Sequence, residues 1–127
     1  MKGSCFVYFR SASTDLDAAS RALTGYGLTV KREGDELVVG RPESPEFRVK
    51  RVVGEDVQAK AAEIGEGTEY EAEMRACDAR FEIGFDDLDE TLDEINTLME
   101  VQGALQDASD GYLFLPWNGN LTEPWRD

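Results

Sequence analysis

Residues 79–85 read ARFEIGF, residues 86–109 read DDLDETLDEINTLMEVQGALQDAS, and residues 112–117 read YLFLPW. This stretch decides the fold. In the first segment Ala79, Phe81, Ile83 and Phe85 alternate with Arg80, Glu82 and Gly84. A period of two is the mark of a strand with one covered face. The last segment is a short apolar run, as in an interior strand. Between them Leu88, Leu92, Ile95, Leu98, Met99 and Leu105 recur at helical steps. Asp87 and Glu90 have capping-box spacing, acids crowd the first turn, and Gly111 can supply the stop. Some twenty residues at 1.5 Å rise make a rod of roughly 30 Å. The pattern predicts strand, one long helix and strand, with Leu88, Leu92, Ile95 and Met99 packed on Phe81, Ile83 and Phe114. A crossover helix in one sheet would make the two strands parallel.

Working outward, Cys5 to Phe9 reads as a buried first strand. Ser13 or Thr14 then caps a helix whose inner face is Leu16, Ala19, Leu23 and Tyr26, closed by Gly27. Leu28 to Arg32 and Glu36 to Val39 form a hairpin across Glu33-Gly34-Asp35, and residues 46–53 add a third strand. Glu55 to Ile64 reads as a helix with Val57, Ala61 and Ile64 inward. Residues 69–77 fit a strand by alternation, but Tyr70, Met74 and Cys77 have helical spacing and Thr68 with Glu71 can cap, so a helix is expected. Trp117-Asn118-Gly119-Asn120 is a turn, and the tail 118–127 is expected to be a surface strap or loosely ordered.

The order is β-α-β-β-β-α-α-β-α-β. It implies an α+β fold: a single two-layer domain over residues 1–127, with a mixed sheet of five or six strands and helices mainly on one face. A ferredoxin-like arrangement is its natural form.

Charge is the most informative property. The chain has 127 residues, 13 basic and 27 acidic, for a net charge of −14. Residues 1–53 carry 9 basic and 7 acidic residues, and residues 54–127 carry 4 and 20. Such a balance disfavours nucleic acid and anionic membranes as partners. No apolar run suits a membrane span or a secretory leader, so a cytoplasmic protein is expected, with Cys5 and Cys77 as reduced, buried thiols. The Asn120-Leu121-Thr122 sequon then has no use.

There is no histidine, no GxxxxGK[ST] and no GxGxxG. Triads, histidine-ligated zinc and the usual phosphate cradles are therefore excluded. No catalytic residue, metal ligand or cofactor is assigned. Carboxylates on the long helix could bind a hard cation, but the calcium loop fails because Leu92 stands where glycine is needed. Cys77 lies near Arg80, which would activate it, yet a packing cysteine at a helix end is the simpler account. Lys31, Arg32, Arg41, Arg48, Lys50 and Arg51 form a basic group. They can pair with Glu33, Glu36, Glu43 and Glu46, or with the acidic half of the same chain or of a second copy in a homodimer.

The expectation for function is a non-enzymatic acidic interaction protein that binds a basic protein partner, in the manner of an immunity protein neutralising a toxin. Asp86, Asp89, Glu90, Asp93, Glu94, Trp117 and Asn118 are the candidate partner-binding residues. A small-molecule-binding or regulatory α+β domain with an apolar cleft near Trp117 is the alternative, and a carboxylate-based hydrolase a distant third.

Overall fold

The computed structural model describes residues 3–42 and 44–124. Its centre is the all-apolar run of the first strand, β1 (Gly3–Phe9). Cys5, Val7 and Phe9 are buried on one face and Tyr8 on the other. A strand covered on both faces needs no alternation, which is why the run reads continuously. After β1 come α1 (Leu16–Gly25), β2 (Thr29–Glu33), β3 (Glu36–Gly40), β4 (Phe47–Val53), α2 (Glu55–Gly65) and α3 (Glu71–Arg75). The chain continues with β5 (Ala79–Phe85), α4 (Leu88–Asp93), α5 (Ile95–Ser109), β6 (Tyr112–Leu115) and β7 (Asn120–Thr122).

Among the described residues the strands form one seven-stranded sheet, ordered β2-β3-β4-β5-β1-β6-β7, in which every neighbouring pair is antiparallel. The α+β class is as the sequence implies. The mixed sheet of five or six strands is not. β1 lies between β5 and β6 and pairs with both, Cys5 opposite Ile83 and Val7 opposite Leu113. β5 and β6 therefore run the same way, but one strand apart. The helical crossover steps over β1 and creates no parallel ladder.

Helices also cover both faces instead of mainly one. Leu16, Ala19 and Leu23 of α1 and Leu98, Val101, Ala104 and Leu105 of α5 pack on Phe81, Ile83, Val49 and Phe47. Val57 and Ala61 of α2 and Met74 of α3 pack on Tyr8 and Tyr112 behind the sheet. The short α3 settles residues 71–75 as helix. Gly65 makes its approach possible: a Cβ there would sit about 2.5 Å from Met74 Cβ.

Local signals in the first half match the structure closely. α1 ends in a Schellman turn, with Gly27 at φ +83, its N–H on Thr24 O (2.9 Å) and the Leu28 N–H on Leu23 O (3.2 Å). Asp15, not Ser13 or Thr14, caps its start by accepting the Ala18 N–H. Tyr26 points outward and its hydroxyl bonds Asp107 of α5. Gly34, at φ +63, turns the two-residue hairpin. The tail 118–124 is more ordered than expected, because β7 pairs with β6. Residues 125–127, the rest of that tail, lie outside the described residues, as does Glu43.

The long helix departs most from expectation. Asp87 caps it through the Glu90 N–H at 3.2 Å, as the spacing implies. It then breaks at Glu94, whose ψ is +43, and α5 restarts with a shifted face. Thr91, Leu98, Val101, Gln102 and Leu105 point inward. Leu92, Ile95 and Met99, expected in the core, are 40, 38 and 58% exposed. The inner stripe includes threonine and glutamine, so a stripe sought among apolar residues alone falls on the wrong side. Asp110, in the left-handed region at φ 56, ends α5 where Gly111 was expected to do so.

Two measurements test this packing. Leu98→Ala should lower the unfolding free energy by about 2–5 kcal/mol, while Leu92→Ala should lower it by less than about 1 kcal/mol. Similar losses in a urea titration would mean that the helix face is assigned wrongly. The second concerns Asp78, which accepts the Ser11 N–H (2.7 Å) and hydroxyl (2.9 Å). The backbone bond from Ser11, then that from its hydroxyl, holds the Asp78 carboxyl below its usual value of 3.8. A lowered folded-state value stabilises the fold above the unfolded value and is lost as pH falls. The stability gap between wild type and Asp78→Ala should be full at neutral pH and narrow below about pH 4. A gap independent of pH would assign the loss to packing.

Candidate functional site

The acidic start of the crossover helix is placed as expected, on the surface. Asp86, Asp89, Glu90, Asp93 and Glu94 are all exposed. Among the described residues none of these five is in an ion pair. No trio of aspartate, glutamate or cysteine there converges closely enough to hold a metal ion.

The turned-out residues of α4 and α5 add what the sequence did not reveal. Leu92, Ile95 and Met99 face β6 and β7 across a groove of about 400 Å³, with Leu113, Leu115 and Trp117 on the sheet side. Asp89 sits one turn before Leu92 on the same helical face, and Asp93 and Glu94 fill the positions between Leu92 and Ile95. The groove thus sets Trp117 and Asn118 opposite Leu92 and Ile95, on the helical segment that also carries the candidate carboxylates.

The sheet side of the groove is firmly built. The Trp117 ring meets Phe85 edge to face, 6.0 Å between centroids. Asn118 Oδ1 accepts the Asn120 N–H at 3.0 Å and the Gly119 N–H bonds Leu115 O at 2.8 Å, which holds the turn between β6 and β7. At its base Gln106, 4% exposed, donates to Gly111 O and Thr122 O, both at 3.2 Å. Gln102 reaches Cys5 Sγ at 3.5 Å. Neither glutamine stood out in the sequence. The signal was there, since positions 98, 102, 105, 106 and 109 form a helical stripe once polar residues are admitted.

Among the described residues no carboxylate lines this groove. It offers apolar surface, three amide side chains and an indole, with acids outside. Such a lining can bind an apolar group.

The basic group on the hairpin and β4 is consumed within the chain. Arg48 lies 3.3 Å from Glu36 and 3.7 Å from Glu33, and Lys50 lies 3.2 Å from Glu36. The Lys50 ammonium, first among several causes, holds the Glu36 carboxyl below its ordinary value. Arg32 pairs with Asp17 at 2.8 Å. Arg41 joins the two halves by pairing with Glu100 of α5 while donating to Tyr26 O and Gly27 O. Arg51 donates to Ser11 O at 2.8 Å. Glu43, a further expected partner, is outside the described residues.

The two thiols are packing groups. Burial pushes Cys5 up to about 12 and Cys77 up to about 11. Cys77 donates weakly to Glu73 O, and Arg80, expected as its activator, instead bonds Glu82 and the Tyr8 hydroxyl. Neither thiol should react with a disulfide reagent at pH 8 in the folded protein, and both should react in denaturant. Rapid modification of one thiol in the native state would contradict this placement.

Comparison with protein-family models, with curated proteins and with solved structures found no match, so the site's geometry is what bears on function.

Proposed function

We propose that the protein is a non-enzymatic acidic binding protein whose α4–α5 surface recognises a basic protein partner. One observation carries this reading: Asp86, Asp89, Glu90, Asp93 and Glu94 are exposed on the same helical segment that turns Leu92, Ile95 and Met99 outward. Charge alone gives steering without grip, and apolar surface alone gives grip without selectivity. A recognition surface combines them. The concrete version is an immunity-type role, in which the acidic face occludes the basic cleft of a toxin.

A second reading is favoured by the groove itself. Apolar walls, an indole and two buried glutamines beside Trp117 would also suit a small apolar ligand, as in a regulatory α+β domain.

The test separates charge from fold. Wild type and a variant with Asp89→Asn, Glu90→Gln, Asp93→Asn and Glu94→Gln are immobilised and exposed to lysate of the native cell at about 50 mM salt. The wild type should retain a protein of high isoelectric point. That protein, once purified, should associate roughly tenfold or more slowly with the variant at low salt, with the difference shrinking as salt rises. Equal association rates would remove the acidic face from recognition.

A further inference from the structure

We propose that the groove between α4–α5 and β6–β7 docks an amphipathic segment of the partner, one that carries lysine or arginine beside its apolar side chains. This rests on the reading of the protein as a binder of basic partners and says how the partner is gripped. Leu92 lies in the last turn of α4, Ile95 and Met99 lie one turn apart at the start of α5, and all three line the one groove. Such a row suits a helix laid alongside it, with anchors at its own i, i+3 or i+4 positions. Met99, the most exposed of the three, has a flexible thioether that adapts to whatever fills the groove. Trp117, fixed against Phe85, is the rigid wall against which an anchor is held.

Charge complementarity chooses the occupant. Asp89 is exposed one turn before Leu92 on α4 and Asp93 is exposed next to it, so a segment seated on the groove has carboxylates near its end at α4. Lysine or arginine at that end is attracted, and glutamate is repelled. A second copy of this chain fits poorly. Two-fold pairing of the same patch would set the acidic rims of both copies against each other, on chains of net charge −14. A lipid surface with anionic headgroups is repelled in the same way.

The experiment uses the full chain with ¹³C-methyl methionine and three synthetic 14-residue peptides. One alternates lysine and leucine at helical spacing. One replaces leucine with serine, and one replaces lysine with glutamine. The Lys/Leu peptide should shift the Met99 methyl resonance and leave that of Met74, which is fully buried, unmoved. It should dissociate roughly tenfold or more faster from an Ile95→Gln/Met99→Gln variant, whose altered side chains are exposed. Neutralising Asp89 and Asp93 should slow association instead. If the Lys/Ser peptide binds as tightly as Lys/Leu, the groove does not grip the partner and the inference fails, while the acidic-binder reading survives. If the Gln/Leu peptide binds as tightly, both fail. Self-association that Met99→Gln abolishes would make a second copy the occupant and overturn the inference. An unmoved Met99 methyl with every peptide would overturn it too, without relying on any variant.

Discussion

The structure depends on β1 being hydrogen-bonded on both edges and buried on both faces. All seven of its residues pair with β5 along one side, and Phe6, Val7 and Tyr8 pair with β6 along the other. Its odd-numbered side chains from Cys5 to Phe9 enter the core under α1 and α5, and Tyr8 enters the core under α2 and α3. Because β1 occupies the place beside β5, the chain leaving β5 must carry its helix across β1 before it can add a strand. That displacement sets α5 over the middle of the sheet and leaves the outer side of α4–α5 facing β6 and β7. The groove is therefore a by-product of strand order.

Charge is organised by the same geometry. The basic residues of the hairpin and β4 lie within reach of their own glutamates, and Arg41 reaches across to α5. Those pairs lie at the surface, where solvent screens them and the fold gains little from each. Among the described residues, Asp86, Asp89, Glu90, Asp93 and Glu94 are in no such pair. Burial of apolar side chains holds the fold.

Much of the architecture was legible in the sequence because it is written in local terms. The Gly27 stop, the Gly34 hairpin, the Asp87 cap and the alternation of Ala79 to Phe85 each depend on neighbours a few residues away. Residues 71–75 could be told from a strand by the spacing of Tyr70 and Met74. Strand order was not legible, since nothing in β5 or β6 alone says that β1 will come between them. The helix face was misjudged for a physical reason. Gln102 and Gln106 are buried with their amides bonded inside, Gln106 to backbone carbonyls and Gln102 to a thiol, while Leu92 and Met99 are outside. Apolar periodicity assumes the reverse. The candidate acidic residues were identified correctly as exposed, because carboxylates at a helix start rarely go anywhere else. The groove beside them required the break at Glu94, which no proline or glycine announces.

The break at Glu94 also divides the labour of evolution. Inward positions such as Leu98, Val101 and Leu105 are held by close packing, where a lost methylene is felt throughout the core. Outward positions 92, 95 and 99 touch little of the protein's own interior, so exchanging them alters the surface and hardly the fold. A lineage carrying this scaffold can thus change the character of this surface by drift at three codons, without passing through unfolded intermediates.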